Sequence, residues 1–192
     1  MKEVEIMKMS LRKLTNEKIL FALHGLGFVF VCLFGMYSQD VARNFPNFIT
    51  KILLPANYSL WEQGKILLTG MSLWFIIEYI LVGRKIKGFI SIHTLIAVVL
   101  PAIMLIVYMT HSTLFGGLSL EGAHIALAVM LILTGFLASV IMTVQKNNYS
   151  VYAAAGVVIY VIVIIVYVIF TFLPPQFSIF YDEINSSFGP IW

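Results

Sequence analysis

Four histidines and two glutamates are the residues of this sequence whose types and spacing could do chemistry. They are His24, Glu78, His93, His111, Glu121 and His124. Each lies inside or at the end of an apolar stretch, and an ionisable group in a membrane indicates a functional site because its burial is costly. Imidazole and carboxylate groups bind transition metals, and paired imidazoles can also hold the iron of a b-type haem.

His24, Glu78 and His93 are predicted to lie at one depth in the membrane. Each stands a few residues inside its apolar stretch, counted from the end that is predicted to be cytoplasmic. At a rise of 1.5 Å per residue, this spacing puts all three side chains roughly 7 to 8 Å beneath the cytoplasmic boundary. These three residues form the predicted inner site.

His111 and His124, with Glu121 beside them, form a predicted outer site at the opposite face. His93 and His111 are separated by about five turns of α-helix, which places both side chains on one stripe of the same helix. The sequence therefore predicts two histidine sites stacked across the membrane.

Several kinds of chemistry fit these sites, and the residue types alone do not decide among them. Facing imidazoles, His24 with His93 and His111 with His124, could supply both axial ligands of a haem. The inner set with Glu78 could instead hold iron, copper or zinc, since two imidazoles and one carboxylate are ligands for these metals. A proton relay is a further alternative, and so is a purely structural role without any cofactor.

The elements that must position these residues are membrane-spanning helices. The chain has 192 residues, of which 60% are hydrophobic and 11% are charged, and its mean hydropathy is +0.97. A soluble domain carries about 25% charged residues, so the composition excludes a soluble enzyme, a nucleic-acid-binding domain and a disordered scaffold. Because a span needs about 20 apolar residues, the sequence predicts an all-α polytopic bundle of five transmembrane helices. Their predicted ranges are 19–37, 66–83, 88–109, 122–144 and 152–173.

The positions of lysine and arginine predict the orientation of this bundle, since cytoplasmic segments carry the excess of basic residues. Most of the 12 basic residues fall in the amino-terminal segment, in the loop after the second span and in the loop after the fourth. A five-span chain places these three segments on one side. The amino terminus is therefore predicted inside and the carboxyl terminus outside, in a multi-pass protein of the plasma membrane.

Two segments flank the predicted membrane domain, 19–173. Residues 1–18 mix charged and apolar side chains, which favours a short helix on the cytoplasmic interface, with a frayed charged tail as the alternative. Residues 174–192 form an outer tail rich in aromatic side chains. Such rings favour the headgroup layer, or they dock on a partner subunit, because a small protein gains little by exposing them.

Short motifs surround the histidines in the middle of the chain. Gly83-Arg84-Lys85-Ile86-Lys87 precedes Ile92-His93, Tyr108-Met109-Thr110-His111 leads to Gly116-Gly117, and His124-Ile125-Ala126-Leu127 follows. Over about residues 65–145 this arrangement resembles the CtaM-like family of small multi-histidine membrane proteins linked to cytochrome oxidase assembly. The resemblance implies a place near respiratory oxidases and a role for His93, His111 and His124 in handling haem or copper.

The function predicted first is that of an accessory or assembly protein of a terminal respiratory oxidase. It would bind haem or copper through its histidines, contact the lipid bilayer and oxidase subunits, and have no catalytic activity of its own. One alternative is a small membrane cytochrome b that passes electrons between quinol and a partner. A cofactor-free structural subunit of a respiratory complex is the other.

Overall fold

The computed structural model describes the backbone of residues 2–115, 121–144 and 153–191 and the side chains of residues 18–110, 128–142 and 154–191. The α-helices in these residues are α1 Lys2–Asn44, α2 Phe48–Leu53, α3 Leu60–Leu81, α4 Phe89–Phe115, α5 Glu121–Val144 and α6 Ala153–Phe172. Short 3-10 helices at Gly83–Lys85 and Ser178–Phe180 and an antiparallel pair, β1 Tyr181–Asp182 with β2 Ser187–Phe188, complete the described structure.

Four of the described helices are long and apolar enough to cross a membrane. They are the part of α1 at Lys18–Asn44, all of α3, the part of α4 at Phe89–Thr110 and the part of α6 at Ala154–Phe172. In α5, the apolar stretch within the described side chains is Ala128–Met142, which is shorter than these four. The chain is thus a helical protein of the membrane type, as its composition predicts.

Helix α1 runs without interruption from Lys2 to Asn44, whereas the sequence predicts a separate segment 1–18 and a span that ends at 37. The first proline of the chain is Pro46, and proline disfavours helical backbone in the residue before it. The helix therefore continues past the apolar stretch and ends just before this proline.

Helix α3 begins at Leu60, before the predicted start at 66. Ser59 caps it, because its hydroxyl accepts the backbone N–H of Glu62 at 3.4 Å. Glu62 and Lys65 interrupt the apolar pattern of the sequence, but their charged groups lie 2.6 Å apart inside the protein. Their pairing allows the helix to start nearly two turns earlier than the hydropathy pattern indicates.

Helix α4 is the centre of the bundle. It packs against α3, α5 and α6, while α1 packs against α3 and α5. The buried hydrophobic core joins residues of α1, α3, α4 and α5, among them Val31, Leu67, Met71, Phe75, Ile92, Ile96, Leu100, Ile132 and Phe136. The middle of α1, which carries His24, therefore meets the end of α3, with Glu78, and the start of α4, with His93, around one core.

A tight turn joins α3 to α4. Gly88 has a φ of +78°, a backbone conformation that residues with a Cβ adopt only with strain. A Cβ on Gly83 would come within 2.9 Å of the Phe89 ring, so glycine there lets this ring pack against the turn. The reversal brings the end of α3, with Glu78, beside the start of α4, with His93.

The predicted outer tail folds back onto the bundle. The ring of Phe180 lies 5.0 Å from that of Trp61 at the start of α3, and the Ile191 N–H donates to the Ala56 carbonyl at 3.1 Å. Phe177 remains exposed. Part of the aromatic surface of this tail is therefore used within the chain itself.

Candidate metal centre

The structure brings together the three residues of the predicted inner site. His24 comes from α1, Glu78 from α3 and His93 from α4, and each is at most 3% exposed. The sequence places them at one depth, and the packing of the three helices turns all three side chains inward. The side chains of the predicted outer site, His111, Glu121 and His124, lie outside the described residues.

The Glu78 carboxylate lies between the two imidazole rings. Its Oε1 atom is 3.3 Å from Nδ1 of His24, and its Oε2 atom is 3.5 Å from Nε2 of His93. One candidate ligand atom from each of the three residues lies within 4.8 Å of the other two. Among the described residues, this is the one group of three or more histidine, cysteine or acidic side chains that could hold a metal ion.

The helix backbone fixes which nitrogen of each ring carries the proton. Nδ1 of His24 lies 2.8 Å from the Leu20 carbonyl oxygen, and Nδ1 of His93 lies 2.7 Å from that of Phe89. A carbonyl oxygen only accepts, so Nδ1 donates in both rings, and Nε2 of a neutral ring then carries the lone pair. A metal-binding histidine is held in the same way, with its second nitrogen donating to a backbone carbonyl.

Three buried electron-rich atoms of this site have no hydrogen-bond partner among the described residues. They are Nε2 of His24, Nε2 of His93 and Oε2 of Glu78. A buried acceptor without a partner costs free energy, and a buried charge costs more. The candidate ligand atoms of the three side chains lie within 4.8 Å of one another, so a cation held among them would offset the charge of the buried carboxylate.

Aromatic rings enclose the histidines. The Phe89 ring stacks on His93 with ring centroids 3.6 Å apart, and Phe75 meets the same ring edge-on at 4.4 Å. Phe136 of α5 meets His24 edge-on at 5.6 Å. These contacts restrict the rotation of both imidazoles and exclude water, which strengthens electrostatic interactions inside the site.

Trp74 is a further residue of the site, one that the sequence analysis does not single out. Its Nε1–H lies 2.7 Å from Oε1 of Glu78 and 3.1 Å from the Leu23 carbonyl oxygen. The indole thus holds the carboxylate and ties α3 to α1. The sequence does contain one indication of this contact: Trp74 stands four residues before Glu78, and residues at this spacing meet on one helix face.

The Trp74 ring occupies the space beside Gly27, where a larger residue would place its side chain. A Cβ at Gly27 would lie 2.2 Å from Trp74 Nε1, whereas a Cβ at Gly25 would meet nothing within 4 Å. We expect Gly27→Ala to displace the indole, break its hydrogen bond to Glu78 and shift the tryptophan fluorescence of the purified protein. Gly25→Ala, the matched control, should leave the spectrum unchanged, and equal spectra for both variants would contradict this packing.

A second polar cluster lies near the other end of α3. The Lys65 ammonium is 2.6 Å from Oε2 of Glu62 and donates to the carbonyl oxygens of Lys51 and Leu54 at 2.8 and 3.3 Å. Glu62 Oε2 also accepts the Ala56 N–H at 2.8 Å. These contacts occupy all three protons of the ammonium group, so the pair fits a structural role.

The outer loop, residues 45–59 between α1 and α3, closes over this ion pair together with the tail. The Thr171 hydroxyl at the end of α6 lies 2.8 Å from Oε1 of Glu62. Asp182, which is fully buried, accepts the Tyr58 N–H at 2.9 Å, and Asn57 Nδ2 donates to the Gly189 carbonyl at 2.8 Å. Lys65 directly precedes the predicted span 66–83, and nothing local in the sequence shows that Glu62 pairs with it inside the protein.

Comparison with known proteins identifies the family but no activity. The sequence profile described as "Family of unknown function (DUF6512)" matches residues 7–190. No curated protein and no solved structure matches the chain.

Proposed function

Because the chain belongs to the family of unknown function DUF6512, we propose a function from the geometry of the inner site. The protein is an integral membrane protein that binds a divalent transition-metal ion through His24, Glu78 and His93. The observation that carries this proposal is the convergence of three buried ligand groups whose Nε2, Nε2 and Oε2 atoms have no hydrogen-bond partner among the described residues.

The position of Glu78 favours a metal ion over a haem. A haem held by two imidazoles needs an open slot for the flat macrocycle between the rings. The carboxylate lies within 3.5 Å of His93 and 3.3 Å of His24, and Phe89 and Phe75 pack on the ring of His93. The space between the imidazoles thus suits a single ion.

The ligand types narrow the identity of the ion. Two neutral imidazoles and one carboxylate suit copper, zinc and iron, whereas magnesium and calcium favour oxygen ligands. The carboxylate also offsets one of the two positive charges, which lowers the cost of placing the ion in an apolar bundle. The ion is therefore expected to come from the first-row transition series.

A metal titration of the purified full-length protein tests this proposal. After dialysis against a chelator, the protein is titrated with Cu²⁺, Zn²⁺ or Fe²⁺ in the presence of a competing chelator, and bound metal is measured by elemental analysis. We expect a single tight site per chain that the double variant His24→Ala/His93→Ala lacks. Equal binding by the double variant, or a strong haem absorption band in the purified protein, would contradict the proposal.

We also propose that the chain crosses the plasma membrane five times with its amino terminus inside. The fifth span would be α5, whose apolar stretch Ala128–Met142 lies within the helix Glu121–Val144. Arg84 and Lys85, which follow α3 and are exposed, would then face the cytoplasm. Single cysteines placed at 85 and 183 in a Cys32→Ser background should react with an impermeant maleimide only at 183 in intact cells, and labelling of 85 would overturn the orientation.

The narrower proposal of an accessory or assembly role at a terminal respiratory oxidase is supported by the sequence resemblance around His93, His111 and His124. Within it, the bound ion would be copper. Affinity purification from mild detergent extracts should then recover oxidase subunits. Recovery of the protein alone as a monomer would count against this role but would leave the metal site itself untouched.

A further inference from the structure

A cleft in the bundle lies between α3 and α6. Both helices pack along α4, but their backbones approach each other closely at few points, and side chains such as Trp61 and Tyr167 join them near the start of α3. Where they approach, the Tyr160 hydroxyl of α6 donates to the Ser72 hydroxyl of α3. In its inner part the floor of the cleft is α4. The open side faces the surroundings of the bundle, which in a membrane are lipid chains.

The cleft contains two adjoining chambers. The inner chamber has a volume of about 210 Å3 and reaches His93. The outer chamber has a volume of about 160 Å3 and extends toward α2. Ser72, Ile76 and Tyr160 line both chambers, so a single elongated molecule could occupy the two. Small-molecule sites typically have volumes of about 300–1,000 Å3, and the chambers together suit a compact ligand of this class.

The inner chamber has the lining of a site for a flat ring. Phe75, Tyr79 and Phe89 contribute aromatic surfaces, and Tyr160 contributes a hydroxyl group. The Tyr160 proton is directed to Ser72, so its oxygen still has a lone pair that can accept a ligand O–H. By turning away from Ser72, the same hydroxyl can donate to a ligand carbonyl. The chamber can therefore recognise a ring that carries either a carbonyl or a hydroxyl group.

The outer chamber has the lining of a site for a hydrocarbon chain. Its walls include Leu68, Leu73, Ile164 and Val168. No lysine, arginine, aspartate or glutamate lines either chamber within the described part of the chain. A phospholipid headgroup would leave its phosphate charge unpaired there, which is costly in an apolar environment.

We propose that this cleft binds an isoprenoid quinone, with its ring in the inner chamber beside His93 and its polyprenyl chain in the outer chamber. The shape and lining of the cleft support this site independently of the metal site. Access would be lateral from the bilayer, past Ile76, which is 57% exposed at the mouth of both chambers.

Lipid extraction from the purified full-length protein tests the proposal. The protein is isolated in mild detergent from membranes that contain quinone, extracted with organic solvent, and the quinone and phospholipid per chain are measured by mass spectrometry. We expect quinone to be enriched over its ratio to phospholipid in the source membrane. Ile76→Trp, which places a large side chain at the mouth, should lower the bound quinone by about fivefold or more.

Ile77→Trp is the matched control, because Ile77 is also exposed on α3 but lines neither chamber. It should retain the quinone of the wild-type protein. Phospholipid without quinone in the extract, or equal quinone in the two tryptophan variants, would overturn the proposal.

A photoreactive azidoquinone gives a second measurement that needs no variant. Its label should fall on peptides of α3, α4 or α6 that line the chambers, and an excess of unlabelled quinone should suppress it. Labelling that is spread over the lipid-facing surface and is not suppressed would equally overturn the proposal.

Discussion

Replacing Glu78 with glutamine is expected to lower the affinity for a transition metal by about a hundredfold or more, since loss of a group that merely orients a metal ligand costs 10–100-fold. The amide keeps the shape of the side chain but removes the negative charge that faces both imidazoles at 3.3 and 3.5 Å. The Trp74 indole can still donate to the amide oxygen, so the fold of this region should persist. Competition titration with a chelator of known affinity measures the change.

Two further variants make this prediction specific. Glu183→Gln removes a carboxylate that is exposed in the tail and should leave the metal affinity unchanged. Trp74→Phe removes the indole N–H that donates to Oε1 of Glu78 and to the Leu23 carbonyl, and it should lower the affinity by about tenfold, within the range for a supporting hydrogen bond. A Glu78→Gln protein that binds metal as tightly as the wild type would refute the assignment of the carboxylate as a ligand.

Replacing Lys65 with methionine is expected to destabilise the protein by about 3–5 kcal/mol, because it leaves a buried carboxylate without its counter-charge. Glu62 is 2% exposed and Lys65 is 1% exposed, so water cannot compensate for the loss. The carbonyls of Lys51 and Leu54 also lose their donor, which loosens the outer loop. Unfolding by SDS in mixed micelles, followed by circular dichroism, gives the free energy of unfolding.

The double variant Glu62→Gln/Lys65→Met separates loss of the pair from loss of one partner. Removing both charges avoids the unpaired carboxylate, so most of the stability should return. Lys87→Met, at an exposed site, should have little effect on its own. If Lys65→Met is as stable as the wild-type protein, the ion pair has no part in holding the loop and tail on the bundle.

The Glu62–Lys65 pair, the outer layer, and the group of His24, Glu78 and His93, the inner layer, differ in how far their charged and imidazole groups have partners. In the outer layer, every proton of the Lys65 ammonium has an acceptor. In the inner layer, three acceptor atoms have no partner among the described residues. A satisfied polar cluster fixes a structure, whereas buried acceptors that converge without a donor indicate a place for a cation. This difference supports the proposal that the outer layer stabilises the fold and the inner layer binds a cation.

Much of the fold follows from the sequence by itself. The apolar stretches predict the positions of the long helices, because a spanning helix must satisfy its backbone internally and cover itself with apolar side chains. Counting residues from the ends of these stretches, at the helical rise of 1.5 Å per residue, also predicts that His24, Glu78 and His93 lie at one depth. Helix ends are less well determined, since α1 extends to Asn44 and α3 begins at Leu60, and both ends depend on local partners rather than on hydropathy.

Only the tertiary structure decides which side chains meet. Each residue turns a helix face by about 100°, so a depth shared by three residues says nothing about whether they face one another. The hydrogen bond from Trp74 to Glu78, the pairing of Glu62 with Lys65 and the cleft between α3 and α6 all depend on how the helices are rotated and packed. That rotation is set by many contacts between distant residues such as Gly27 and Trp74, and these contacts leave no periodic pattern in the chain.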